Sequence, residues 1–170
     1  MTKTMYVGMG CFWGAEKKFW SLPGVVETSV GYQGGTTENP DYRLVCTGTT
    51  NHIEIVKIVY NESDISTRDL LKVFWENHDP TQGHRQGNDV GSQYRSAILY
   101  TNDEQKTVAT LTKEQYGQVL SAAGLDPITT EILDAKDHTY WLAEEYHQKY
   151  LIKNPNGYDC HAHTGYSLPD

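Results

Sequence analysis

Cys11 and Glu54 are the two residues whose type and setting most directly offer chemistry. Cys11 stands where a predicted strand, residues 4–9, runs through Gly8 and Gly10 into the first turn of a predicted helix. Backbone N–H groups lack intrahelical partners there, and the helix dipole favours an anion. A free thiol with a pKa of about 8.5 is only a few per cent thiolate at pH 7. Stabilising its anion by about 1.4 kcal/mol lowers that pKa by one unit, so the position suits a nucleophile. It also suits a small buried hydrophobe, because Met5, Val7, Met9 and Cys11 share one strand face. Glu54 shares a strand face with Val56 and Ile58. Burial among them raises a carboxyl pKa and leaves a neutral acid able to donate a proton near pH 7. The alternative for Glu54 is a strand-end carboxylate near solvent or paired with Lys57.

Other groupings offer different chemistry. Cys160, His161 and His163, beside Asp159, form a short Cys/His tract of the kind that binds metal, but the rest of a tetrahedral ligand set is not evident. Glu144 and His147 have i, i+3 spacing, and a carboxylate-bridged di-metal bundle needs two such pairs. Both read as solvated tail and solvated helix face, so no metal is expected. Cys11 with His52 would make a cysteine hydrolase pair, which sequence alone leaves open. The run from Gly8 to Gly14 resembles a dinucleotide fingerprint, but Trp13 occupies the third glycine's place and no βαβ unit follows.

Bulk properties narrow the classes further. Fourteen basic and twenty-two acidic side chains give 14 − 22 = −8, which leaves no broad phosphate-binding face and argues against nucleic acid. No apolar run approaches the roughly 18 residues that span a membrane. The N-terminus lacks a basic stretch followed by an apolar one. A cytoplasmic monomer is therefore expected. The cysteines, Cys11, Cys46 and Cys160, are odd in number and far apart, which fits neither a disulfide scaffold nor a zinc ribbon.

A resemblance reorders these readings. The blocks GCFWG at 10–14, GYQGG at 31–35, NPDY at 39–42, VCTG at 45–48 and HIE at 52–54 look like those of the class A peptide methionine sulfoxide reductases. So do VFWENHDPTQGHRQGNDVGSQYRSAI at 73–98, TTEI at 129–132, EYHQKYL at 145–151 and NPNGYDCH at 154–161. The resemblance implies that Cys11 is the nucleophile, with Phe12 and Trp13 lining the pocket for the substrate's S-methyl group. It implies that Glu54 binds and protonates the sulfoxide oxygen, assisted by Tyr42 and Tyr94, with Asp89 in the supporting network. It implies that Cys160 resolves the oxidised intermediate and that thioredoxin, or dithiothreitol in its place, restores the dithiol without a prosthetic group. Oxidised proteins and free methionine sulfoxide are the implied substrates, in the S epimer. A single cysteine after position 46 favours one disulfide step without a relay, and leaves Cys46 a structural reading.

The elements that must position these residues follow from periodicity and punctuation. A helix is predicted over 12–20, ended by Leu22-Pro23-Gly24, then a strand over 25–32. Asn39 and Pro40 read as an N-cap and first helical position for a short helix over 42–46. Residues 52–60 alternate with both faces largely apolar, as in a central strand covered on both sides. Ser66 and Asp69 open a helix that carries Leu70, Leu71, Phe74 and Trp75. A long polar, glycine-rich segment, 79–92, precedes a strand over 94–100. Then come a helix over 103–123 ending at Gly124, a strand over 128–133 and a helix over 137–150. The whole reads as one catalytic α+β domain, 1–170, a mixed two-layer sandwich with a ferredoxin-like mixed sheet. Residues 153–170 read as a flexible tail carrying Cys160, folding back over the pocket with Gly157 and Gly165 supplying freedom.

Overall fold

Apolar alternation and helix punctuation resolve, in a computed structural model that describes residues 1–159 and 162–170, into a single chain order. It runs β1 (Thr2–Gly8), α1 (Phe12–Phe19), β2 (Val25–Gln33), α2 (Tyr42–Cys46), β3 (Ile53–Asn61) and α3 (Thr67–Glu76). There follow β4 (Arg85–Gln86), β5 (Asp89–Val90), β6 (Ala97–Tyr100), α4 (Asp103–Ala122), β7 (Glu131–Asp134), β8 (Trp141–Leu142) and α5 (Tyr150–Lys153). Six strands form one mixed sheet in the order β7-β6-β1-β3-β2-β8, and β4 and β5 make a separate small hairpin. Every pairing in the large sheet is antiparallel except β6 with β7. Within it β1-α1-β2-β3-α3-β6 has the ferredoxin-like strand order β6-β1-β3-β2.

The doubly apolar β3 is indeed central. On one face Val56, Ile58 and Tyr60 join Phe12, Phe19, Leu70, Phe74, Trp75, Tyr116 and Leu120 in the main core beneath α1, α3 and α4. On the other, Ile53 and Ile55 pack with Ala97 and Leu99 in a second, smaller cluster. Burial of these side chains drives the two-layer arrangement.

One cap corrects a reading. The N-cap of α2 is Asp41, whose carboxylate accepts from Leu44 N–H at 2.8 Å. Asn39 instead adopts a left-handed conformation, φ 48°. Ser66 caps α3 as expected, accepting from Asp69 N–H at 3.0 Å. The larger departure is at 137–150, where the helical pattern is overridden. Trp141 and Leu142 pair with Tyr32 and Gly31 at the edge of β2, and a short 3₁₀ turn, Glu145–His147, follows. Gln148 explains the change: its side chain accepts from Val30 N–H at 2.8 Å and donates to Val30 O and Ala143 O at 2.8 and 3.1 Å. These bonds satisfy the exposed edge of β2, which a free helix would leave bare. Tyr94 likewise lies in a 3₁₀ turn, Ser92–Tyr94, ahead of β6 rather than within it.

The irregular C-terminal residues that the structure describes dock on α3 and α4. Leu168 is buried, its N–H donates to Glu76 Oε2 at 2.8 Å, and its carbonyl accepts from Lys72 Nζ at 3.3 Å. Thr164 Oγ1 and Tyr166 O meet the Tyr116 hydroxyl at 2.5 and 2.9 Å.

Gly35, of the GYQGG block, joins the end of β2 to the start of β3 with no room for a side chain. A Cβ there would lie 2.4 Å from both His52 N and Thr50 O, backbone atoms that cannot yield. Gly35→Ala is expected to destabilise the fold by about 1–3 kcal/mol, read by denaturant unfolding.

Candidate active site

Cys11 is the N-cap of α1, with its backbone at φ −54°, ψ 123°, and its side chain is buried at 8% exposure. The strand–glycine–helix junction therefore delivers the thiol to the place read from sequence. Its electrostatics are another matter. Burial pushes the Cys11 pKa well above the ordinary thiol range, and the negative charge of Glu54 pushes it further. The backbone amides of Trp13 and Gly14 pull it down, as the helix N-terminus predicts, but they do not outweigh burial and the carboxylate. The resting sulfur is a thiol.

Glu54 projects from β3 and is 2% exposed. Phe12 N–H, the first amide of α1, donates to its Oε1 at 3.1 Å, which ties the carboxyl to the residue after Cys11. Burial pushes its pKa up to about 8; the Phe12 bond opposes that and the charge of Asp89 adds to it. Among the described residues, Oε2 has no hydrogen-bond partner. Glu54 is thus a neutral carboxylic acid at pH 7 with a buried oxygen to spare.

Two phenols are electrostatically coupled to the same carboxyl. Burial, then the charge of Glu54, raises the hydroxyl pKa of both Tyr42 and Tyr94, so each is a neutral donor. Asp89, in the β4–β5 hairpin, accepts from the Tyr158 hydroxyl at 3.2 Å through Oδ1. Its pKa is raised by burial against that bond, and its Oδ2 is buried without a partner among the described residues. The long polar segment is the scaffold for Asp89 and Tyr94.

The aromatic side is built by residues that the sequence reading left on a solvated helix. Trp13 stacks on Tyr150, ring centroids 3.7 Å apart and planes 8° apart, and its Nε1–H donates to His147 Nδ1 at 2.9 Å. That bond fixes the His147 proton on Nε2. Burial lowers the His147 pKa against the pull of Glu144, so the ring is neutral. Its ring also lies 4.6 Å from Tyr42 and 5.1 Å from Phe12 between centroids. Glu144 accepts from the Tyr32 hydroxyl at 2.8 Å and from Tyr42 N–H at 2.9 Å. Burial opposes its charge, but these bonds hold its carboxyl below the usual range. Glu144 and His147 therefore brace the site instead of facing solvent. Tyr32, Tyr150 and Tyr158 were also missed. Each lies inside a recognised block, but no local pattern gave it a role, because its partner is distant in sequence.

The rival chemistries fare differently. His52 is buried; its Nδ1 accepts from Gly35 N–H at 3.0 Å, so Nε2 donates to Thr37 O at 2.6 Å. With both ring nitrogens engaged by backbone, His52 is no base for Cys11. Cys160 and His161 lie outside the described residues, and His163 Nδ1 meets Glu76 O at 3.2 Å. Among the described residues, no group of three metal-ligating side chains converges. Cys46, read as structural, is an exposed free thiol at the end of α2. No helix among the described residues is long and apolar enough to cross a membrane.

Comparison with known proteins gives the family and the fold. The profile of the family described as Peptide methionine sulfoxide reductase matches residues 3–168. Peptide methionine sulfoxide reductase MsrA of Salinispora arenicola is 56% identical over 170 residues, covering 99% of this chain and 76% of that protein. The structure of methionine sulfoxide reductase A of Corynebacterium diphtheriae superposes with a TM-score of 0.87 at 50% identity, covering 99% of this chain and 84% of that one. Mxr1 from Saccharomyces cerevisiae in reduced form has a TM-score of 0.83 at 33% identity, covering 99% and 93%. Mxr1 has also been solved in complex with Trx2, a structure whose likeness here is to the fold, at 24% identity, TM-score 0.55, and 84% and 91% coverage.

The raised Glu54 pKa has a signed consequence. A carboxyl raised from 4.5 to about 8 contributes stability that is complete below pH 4.5 and lost as pH rises to 8. Glu54→Gln is therefore expected to match the native protein near pH 4 and exceed it near pH 9, on the order of a few kcal/mol in thermal or denaturant unfolding. The same variant removes a negative charge facing Cys11, so iodoacetamide should alkylate Cys11 faster at pH 8–9, measured with Cys46 and Cys160 replaced by Ser.

Proposed function

The chain belongs to the peptide methionine sulfoxide reductase family, and from that premise we propose how its own residues reduce the S epimer of methionine sulfoxide, free or in oxidised proteins. The observation that carries the reading is the buried, neutral Glu54 beside the Cys11 thiol, with Oε2 unpartnered among the described residues. A sulfoxide sulfur is weakly electrophilic, and thiolate attack builds negative charge on its oxygen. Donors aimed at that oxygen act mainly in the transition state, where they lower the barrier. Glu54 supplies the proton, and the Tyr42 and Tyr94 hydroxyls supply hydrogen bonds. Phe12 and Trp13 give the S-methyl group an apolar wall.

The proton balance suits a raised thiol pKa. Glu54 gives its proton to the sulfoxide oxygen, and the carboxylate so formed takes up the proton of Cys11 as its sulfur attacks. Oxygen passes to Cys11, methionine leaves with two more electrons, and Cys11 becomes a sulfenic acid. The Cys160 thiol then attacks that sulfur, releasing water and forming a Cys11–Cys160 disulfide. A dithiol, thioredoxin or dithiothreitol, reduces it, so no prosthetic group enters the cycle. The yeast neighbour's complex with Trx2 supports a thioredoxin as reductant. The reaction needs a reducing compartment, which we take to be the cytoplasm. Residues 1–170 act as one catalytic domain, with 153–170 the tail that brings the resolving thiol. Tyr158 on Asp89 and Asp159 on Lys17, at 3.2 Å each, support that approach.

Glu54→Gln should slow reduction of the purified S epimer about 10²- to 10⁴-fold with dithiothreitol as reductant, the range of a lost general acid. An unchanged rate removes Glu54 from that role. After turnover without reductant, peptide mapping should recover a Cys11–Cys160 crosslink; a Cys11–Cys46 crosslink would reassign the resolving residue.

A further inference from the structure

Lys149 lies between the two residues that hold Trp13, namely His147 at its indole nitrogen and Tyr150 on its ring face. It is a non-glycine residue in the left-handed conformation, φ 51°, ψ 39°. Such a conformation is strained for an L side chain and persists where neighbours over-determine it. Here they do. Lys149 N–H donates to Glu16 Oε1 at 2.9 Å, and Lys149 Nζ donates to Glu16 Oε2 at 2.7 Å. Lys149 Nζ also donates to Thr28 O at 2.5 Å, and the Thr28 hydroxyl donates to Glu16 Oε2 at 2.8 Å. Glu16 is fully buried, a carboxylate shut in the interior and met by an ammonium that is 35% exposed at its side chain. Glu16 also sits on α1 three residues after Trp13, so one turn of that helix carries both the aromatic wall and the acid.

We propose that the Glu16–Lys149 pair is a positioning device that sets the methyl pocket by fixing Trp13, a role that rests on the reading of Trp13 as the pocket wall. One carboxylate grips both the backbone and the side chain of Lys149. That pins the sharp reversal which places the His147 acceptor on one side of Lys149 and the Tyr150 ring on the other. Without the grip, the reversal relaxes, and Trp13 loses the stack and the hydrogen bond together. The pair touches neither Cys11 nor Glu54 in any hydrogen bond of the described residues, so the chemical step keeps its groups. The pocket holds the methyl group alike in ground state and transition state. Loosening it removes uniform binding, which raises KM and spares kcat.

The test measures KM and kcat for free methionine sulfoxide with dithiothreitol, and the alkylation rate of Cys11, in Lys149→Met, Trp13→Leu and the double variant. Lys149→Met should raise KM about tenfold or more, the scale of one lost apolar subsite contact, with kcat and alkylation within about threefold. In the Trp13→Leu background the same change should add little, because the wall it positions is already gone. The proposal is overturned if folded Lys149→Met keeps its KM within about twofold, if kcat falls in place of a KM rise, or if the two effects simply multiply. Should Lys149→Met fail to fold, Glu16→Gln/Lys149→Met removes both charges together and is held to the same criteria. Trp13→Leu alone tests the wall: an unchanged KM there would defeat the pocket reading first, and the positioning role with it.

Discussion

A carboxyl group shut away from water beside a thiol is the constraint around which the molecule is arranged. Either group ionised makes the other harder to ionise, and burial penalises both charges. Glu54 answers by staying protonated to about pH 8, and Cys11 by remaining a thiol. The bond from Phe12 N–H to Glu54 Oε1 ties the N-terminus of α1, where Cys11 sits, to the central strand that carries Glu54. A solvated glutamate would ionise near 4 and forfeit its proton. The central, doubly covered position of β3 is thus a chemical requirement as much as a packing solution.

Around this core the protein spends buried polar groups on orientation. Glu144 bridges the Tyr32 hydroxyl and the Tyr42 amide, and His147 holds the Trp13 indole. Gln148 seals the β2 edge, and Glu16 grips Lys149. These four neighbours fall within one short stretch and its partners, a segment whose residue spacing suggests a helix but whose side chains are worth more turned inward. Buried polar groups must find partners, and here the partners lie on β2 and α1.

Much of this was legible in the chain of residues. Apolar alternation at 52–60 identified the central strand, Ser66 the start of α3, Gly124 the end of α4, and the Gly8–Gly10 junction the helix entry at Cys11. Such signals are local, since they depend on backbone propensities and on periodicity within a few residues. The resemblance of ordered blocks implied the roles proposed for Cys11, Glu54, Tyr42, Tyr94 and Asp89.

The residues by themselves determined which side chains exist to do chemistry and the local elements that present them. The tertiary structure alone decided how they behave. It made Glu54 a neutral acid, raised Cys11 in spite of the helix N-terminus, disarmed His52 by engaging both its nitrogens, and turned Glu144, His147 and Lys149 into the frame of the site. Ionisation and partner choice depend on desolvation and on contacts between residues distant in sequence, and no local pattern contains either.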